Sequence, residues 1–370
     1  MTGVIVSGRT RIPVRNLWLL MLYASSLYRD DESLRRSGVE DNPEDLCDIV
    51  AEILADAVET RLQRTLGQAY QPCRAHLTRV RGQIDVLETT TRQLLSRGRV
   101  ACRFSELSVD NPRNRLIRTA LGVAAGRVRS EPLAARCRRL ADTLVQAGVS
   151  ARPIGRGEAS GVVLGRNEVA DVAAVDAAKL MLAMDIPSED DGSGHRWAVS
   201  RDVAEMRRLY EAAVRGFYLA TLTVPWRVHQ GEKKLRWPTE GETARMRQIL
   251  PVMRADTVLE TPDRRIVVET KFTDALKPNQ YGAVKLARGH IFQLYAYIQS
   301  QHEQDALAAT AEGVLLYPTV GEHLDESVTI QGHSYRFLTV DLAGSAAGIR
   351  AALAAVTDPH NINEPEDTHA

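Results

Sequence analysis

Apolar residues in the first part of the chain recur at helical spacing. Residues 12–28 open with Pro13 and carry Leu17, Leu20, Met21 and Ala24 along one side, which predicts a buried helix. A second helix is predicted over residues 43–66, where Leu46, Ile49, Val50, Ile53, Leu54, Ala57, Val58 and Leu62 form one stripe. The pattern then shortens. Val100, Cys102 and Phe104 recur at every second position, and a turn falls at Gly82, so residues 70–104 read as short strands with a hairpin. Helical spacing returns over 116–128 and 133–145.

Beyond a polar, Gly- and acid-rich stretch at 185–195, a long helix is predicted over 203–222. Strands follow at 226–235, 250–260 and 265–272, then a helix at 289–301 and strands at 313–317 and 335–341. That order describes a mixed sheet with flanking helices. The expected architecture is α/β: a mixed α+β N-terminal domain over 1–185, a linker at 186–195, a second domain with a central mixed sheet flanked by helices over 196–356, and a disordered polar tail at 357–370. No internal repeat or low-complexity tract interrupts it.

Composition narrows the function. No run of about 18 apolar residues is present, and the start lacks a basic segment followed by an apolar core, so a cytoplasmic protein without a membrane partner is expected. Cys47, Cys73, Cys102 and Cys137 lie too far apart in sequence for a zinc ribbon or a redox pair and read as reduced core residues. The 47 basic and 47 acidic residues cancel overall, but their distribution is uneven. Residues 61–156 hold 19 Arg, no Lys and 6 acids, an excess of 13 positive charges. Such a stretch suits phosphate or carboxylate partners, and equally suits a merely solvated surface.

The candidate chemistry lies in the second domain. Asp256 opens one predicted strand, and Glu269-Thr270-Lys271 ends the next after the apolar run Ile266-Val267-Val268. Alternation along a strand puts Glu269 and Lys271 on one face and Thr270 on the other. A hairpin turning near Pro262-Asp263 would bring Asp256 beside Glu269. Two carboxylates and an amine are what metal-assisted phosphodiester hydrolysis requires: oxygen ligands for Mg²⁺, and a cation to stabilise developing charge or orient a water. Asp256 and Glu269 are the expected ligands and Lys271 the amine, with the Thr270 carbonyl and Glu211 on the preceding helix as further oxygens. Gln293, on the following helix, is placed to hold a water or a phosphate. By spacing alone this set is weak, because a strand ending in Glu-Thr-Lys is commonly just a strand reaching solvent. His229, His290 and His302 lack partners at ligand spacing and read as surface or capping residues. Trp18 and Tyr23 read as core. Trp226 and Trp237, flanking Lys233 and Lys234, read as packing residues rather than a DNA contact.

Several separated segments resemble, in the same order, the McrC family, the nuclease subunits of McrBC-type modification-dependent (type IV) restriction systems. Ile12-Pro13-Val14-Arg15-Asn16-Leu17 followed by Leu22-Tyr23-Ala24 is similar to that family's N-terminal signature. Val80 to Asp85 resembles its Gly-Arg-Ile turn, and Asp110 to Leu121, centred on Asn114-Arg115, its Asn-bearing helix start. Leu250 to Phe272 resembles its nuclease core, Gln293 to Tyr297 its Gln-plus-aromatic helix, and Gly313 to Pro318 its late strand. The resemblance spans about Ile12 to Asp341.

It implies a PD-(D/E)xK endonuclease fold in the second domain, with Asp256, Glu269 and Lys271 on the metal and catalytic positions and Gln293 on the accessory one. Mg²⁺, or Mn²⁺, is the implied cofactor. The implied partners are double-stranded DNA and a McrB-like AAA+ GTPase hexamer, whose central pore the N-terminal domain enters to stimulate hydrolysis. GTP would be bound by that partner and not by this chain, and no phosphate-binding Gly-x-x-x-x-Gly-Lys-Ser/Thr loop occurs here. Arg81, Gly82 and Gln83 would form the partner-contacting turn, although Gln83 stands where the family usually has Arg. An autonomous PD-(D/E)xK nuclease and an assembly factor with a decayed site are the alternatives.

Overall fold

The computed structural model describes residues 4–7, 10–30, 34–35, 45–64, 66–185, 203–229, 234–235, 237–278, 282–319 and 323–358. The linker expected at 186–195, and the tail past Asp358, lie outside them. The chain divides into two units, one of residues 47–185 and one combining 1–46 with 186–370.

Residues 1–46 were expected with the N-terminal domain; instead their described parts group with the second. Strands β1 (Val4–Ser7) and β2 (Thr10–Pro13) pair antiparallel and lead into α1 (Val14–Ala24), with α2 (Ser26–Asp30) after it. α1 buries Leu17, Leu19, Leu20, Met21, Leu22 and Tyr23, too many directions for a surface helix. It lies instead against the long helix Val203–Thr221. The Tyr23 ring meets Phe217 edge-on at 5.3 Å, and Gly216 admits the Tyr23 carbonyl to within 1.9 Å of where a Cβ would sit. Asn16 Nδ2 donates to the carbonyls of Leu342 and Gly344, at 2.8 and 2.9 Å.

In the 47–185 unit, α3 (Leu46–Arg64) precedes an antiparallel sheet ordered β3 (Ala69–Leu77), β5 (Val100–Ser108), β4 (Gln83–Ile84). The expected hairpin at Gly82 is therefore not a pairing of β3 with β4. Both pair with β5, because α4 (Val86–Thr91) is inserted before the chain returns. Helices α5 (Pro112–Arg127), α6 (Glu131–Gln146) and α7 (Val172–Met184) complete the unit. Asn111 caps α5 by accepting from the Asn114 amide, and Asn114 Nδ2 donates to the Gly67 and Val109 carbonyls. The Asn-bearing segment thus closes the loop before α5.

Much of the arginine excess is neutralised within this unit. Arg113 and Arg61 pair with the buried Asp171, and Arg113 also with Glu168. Arg136 on α6 reaches Asp56 and Glu59 on α3, Arg115 reaches Asp110 and Glu158, and Arg103 pairs with Asp85.

The second unit is built on a mixed six-stranded sheet, ordered β14 (Asp325–Ile330), β15 (His333–Asp341), β13 (Glu312–Thr319), β10 (Arg265–Thr270), β9 (Thr257–Glu260), β6 (Arg227–His229). β10, β13 and β15 run parallel, and the remaining pairs antiparallel. The helix Val203–Thr221 is α8, and Ala244–Ile249 is α9. On one face Val258, Val267, Leu315, Tyr317, Tyr335 and Phe337 pack with Leu294 and Ile298 of α10 (Arg288–Gln299). Gly313 permits this closeness, since a Cβ there would stand 2.6 Å from Ile298. α11 (Ala346–Ala354) meets α8 where the Tyr218 hydroxyl donates to the Leu353 carbonyl. The strand expected over 250–260 is broken into β8 (Met253–Arg254), which pairs with β7 (Lys234–Leu235), and β9, with Asp256 at the break. Among the described residues no helix is long and apolar enough to cross a membrane.

Candidate active site

β9 and β10 form the expected hairpin, Val268 opposite Thr257 and Arg265 opposite Glu260, closed by the Thr261 amide on the Arg264 carbonyl. Extending that register one step past the last pair sets Asp256 across from Glu269. Strand alternation carries Glu269 and Lys271 to the face shared with Val267, where α10 packs. On α10, Leu294 and Ile298 face the core, and Gln293 and Tyr297, also four apart, run beside them toward the end of β10.

The side chains meet. Lys271 Nζ donates to Glu269 Oε1 at 2.6 Å and to Gln293 Oε1 at 2.8 Å. Gln293 Nε2 donates to Glu269 Oε1 at 2.7 Å and to the Tyr297 hydroxyl at 2.8 Å. Asp256 Oδ2 accepts from the Thr270 amide at 2.8 Å and from its hydroxyl at 2.6 Å. Thr270 therefore works from the opposite side of the strand, holding Asp256 while its neighbours hold one another.

Glu269 is 3 % exposed, and its second oxygen, Oε2, is buried without a hydrogen-bond partner. Burial and then the Asp256 carboxylate push its pKa up to about 7, against the pull of Lys271. A buried carboxylate oxygen without a donor is costly, and either a proton or a cation relieves it. Burial also raises the Tyr297 hydroxyl, which stays protonated.

Glu211 reaches this cluster through a neighbour. Arg215, one turn along α8, donates to Glu211 Oε1 at 3.1 Å and to the Asp256 carbonyl at 3.4 Å. Among the described residues no three His, Cys, Asp or Glu side chains are assembled as a ready metal cluster.

The family model for the McrBC 5-methylcytosine restriction system component matches residues 7–318, across both units. The chain belongs to the McrBC family. A curated relative, the type IV methyl-directed restriction enzyme EcoKMcrBC of Escherichia coli K12, is 22% identical over 333 residues, covering 90% of this chain and 93% of the relative. Among solved structures, the half-complex of Thermococcus gammatolerans McrB AAA+ hexamers with bound McrC is 14% identical at a TM-score of 0.38, over 84% of this chain and 68% of that one. The Thermococcus gammatolerans McrBC complex is 16% identical at 0.30, over 48% and 57%.

This McrBC-family chain also presents the turn singled out in its sequence. Gly82 has φ +68°, and a Cβ there would lie 2.4 Å from the Arg103 carbonyl, so glycine is required. Arg81 donates to Glu106 at 3.1 Å and stacks 4.3 Å over Phe104, while Gln83 sits opposite Arg103. All three are exposed, as are the nearby apolar Val80, Val86 and Leu87. Cys47, Cys102 and Cys137 are buried and Cys73 half-buried, all four as free thiols.

Sequence reasoning did not single out Arg215 or Tyr297 for the site. Each follows a named candidate by four residues on a helix, and that spacing was the available signal. His290, read as a surface or capping residue, is half-buried and bonds to the Tyr317 hydroxyl at 3.2 Å. His302 contacts the buried His333 at 2.9 Å, and His229 contacts Glu260 at 2.6 Å. Trp237 donates to the Pro251 carbonyl at 2.8 Å; Lys233 lies outside the described residues.

Proposed function

We propose that the chain is the Mg²⁺-dependent endonuclease subunit of a McrBC-like restriction assembly, a PD-(D/E)xK enzyme cutting double-stranded, modified DNA in the cytoplasm. The observation that carries this reading is the buried, unpartnered Oε2 of Glu269 beside Asp256 and Lys271. That oxygen fits a divalent cation, and the donors around it are hard oxygens.

Asp256 and Glu269 would hold Mg²⁺ or Mn²⁺, with the Thr270 carbonyl and Glu211 as further oxygens. When bound, such an ion polarises a phosphoryl oxygen and lowers the pKa of water. The chain's own residues do the rest. Lys271 spends two of its ammonium protons on Glu269 and Gln293, which fixes its position and leaves one N–H for a phosphate oxygen as charge develops. Gln293 holds Lys271 and Glu269 together, and Tyr297 fixes the amide's orientation. Thr270 fixes Asp256 through two hydrogen bonds.

Family membership supports a separate motor chain, a McrB-like AAA+ GTPase hexamer that binds GTP and whose hydrolysis this subunit stimulates. The exposed turn Arg81-Gly82-Gln83 with its apolar neighbours is the proposed contact. Asp256→Ala should abolish Mn²⁺ binding, measured by calorimetry, and DNA cutting, while partner capture and GTPase stimulation persist. Loss of all of them in a folded variant would overturn the assignment, and cutting without the motor would favour an autonomous nuclease.

A further inference from the structure

Between the end of β10 and the start of α10 the chain makes a small excursion, β11 (Leu276–Pro278) paired antiparallel with β12 (Val284–Leu286). Leu276 faces Leu286, and both pack against the core of the second unit. The next pair is Lys277 opposite Lys285, turned to the other face and exposed. Two like charges directly across a ladder repel each other, and an anion bound between them would relieve that repulsion.

More positive charge converges there. Arg288 opens α10 two residues after β12 and is exposed; that helix has no acid in its first turn and no side-chain cap, so its free amides add to the field. Arg207 on α8, one turn before Glu211, is exposed as well. His290 is held below its usual pKa by burial first, then by Lys271, Lys277 and Arg207, so all three cations lie within electrostatic reach of that ring. Among the described residues none of Arg207, Lys277, Lys285 and Arg288 has an acidic partner, unlike much of the arginine in the 47–185 unit. The acid in the intervening segment is Asp274.

We propose that Lys277 and Lys285, with Arg288 and Arg207, form a binding track for the sugar–phosphate backbone of duplex DNA on the side of the candidate active site opened by β11 and β12. The inference rests on the nuclease reading for its choice of polyanion, but not for its geometry. Cations placed this way neutralise phosphates, release counterions and set the register of the strand without reading its sequence.

The test is DNA binding by the full chain without divalent metal, so that nothing is cut. A fluorescent duplex is titrated by anisotropy across a salt series. The slope of log K against log salt should become shallower by about 0.9 for each phosphate left without its cation, hence by roughly 2 to 3 for Lys277→Ala/Lys285→Ala/Arg288→Ala. Each single variant should lower the slope by about 0.9, and Lys277→Arg/Lys285→Arg should keep the wild-type slope. Calorimetric Mn²⁺ binding at wild-type affinity shows that the triple variant is folded. An unchanged slope in the triple and single variants overturns the track, as does absence of DNA binding by the wild-type chain. A steep wild-type slope that flattens in the variants, in a protein that never cuts DNA even with its motor, would uphold the track and defeat the nuclease reading instead.

Discussion

Lys271 at the end of β10 donates its Nζ proton to Gln293 Oε1 on α10 across 2.8 Å, tying strand to helix at the centre of the candidate site. That bond dictates which way the amide points: its oxygen faces the ammonium, and its nitrogen serves both Glu269 and Tyr297. Gln293→Leu should therefore lower the cutting rate about ten- to hundredfold, the usual cost of losing an orienting partner. Tyr297→Phe should show the same defect in milder form. Single-turnover cleavage with the assembled complex measures both, and wild-type rates in Gln293→Leu would remove the residue from the machinery.

Protonation of Glu269 should set the pH dependence of metal binding. With its pKa near 7, a proton competes for the carboxylate below that pH, so Mn²⁺ affinity should fall about tenfold per unit as the pH drops beneath 7 and level off above it. Calorimetry in buffers of different ionisation enthalpy would register the released proton. A flat affinity from pH 5 to 8 would contradict the assignment.

The same group shapes stability without metal. Its folded pKa lies above the ordinary value of 4.5, so the folded state keeps a proton that the unfolded chain has lost. Stability is therefore undiminished below about 4.5, falls as the pH rises toward 7, and stays lower above, by an amount on the order of 3 kcal/mol. Glu269→Gln should be more stable than wild type in urea melts at pH 8, and the difference should shrink toward pH 4.

Gly216 is a steric requirement for docking the N-terminal segment. Gly216→Ala would push a methyl into the Tyr23 carbonyl, at 1.9 Å, and should destabilise the second unit by roughly 1–3 kcal/mol. Limited proteolysis should then release the first 46 residues sooner than in wild type.

Arg113 and Asp171 form a buried pair at 2.9 Å in the other unit. Arg113→Ala leaves Asp171 with Arg61 alone and takes the partner from Glu168, so it should destabilise residues 47–185 by about 1–3 kcal/mol, while Mn²⁺ binding at Asp256 and Glu269 is retained. Parallel loss of metal binding would show that the two units do not fold independently.

These outcomes separate what the sequence makes legible from what it hides. The parity of Val267, Glu269 and Lys271 is local, and the turn at Pro262-Asp263 is four residues long, so alternation alone aligns Asp256, Glu269 and Lys271. Gln293 follows because α10 returns across the same face. Arg215 and Tyr297 stand one turn past Glu211 and Gln293, a spacing visible in the sequence, but that they turn toward the site depends on how the helices pack. The nearly all-apolar α1 announces burial but not its partner, so its place on α8 was out of reach. The arginine excess overstates the free positive charge for a simple reason: Asp56, Glu59, Glu158, Glu168 and Asp171, which neutralise much of it, lie just outside the stretch from 61 to 156.

The central claim is tested most directly by cleavage of methylated and unmethylated plasmid by this chain co-purified with its AAA+ partner, with Mg²⁺, with and without GTP, beside the Lys271→Ala variant. GTP-dependent cutting of the methylated plasmid that vanishes in Lys271→Ala, with GTPase stimulation intact, is the predicted result. Undiminished cutting by Lys271→Ala, or no cutting by a wild-type complex that hydrolyses GTP normally, would contradict it.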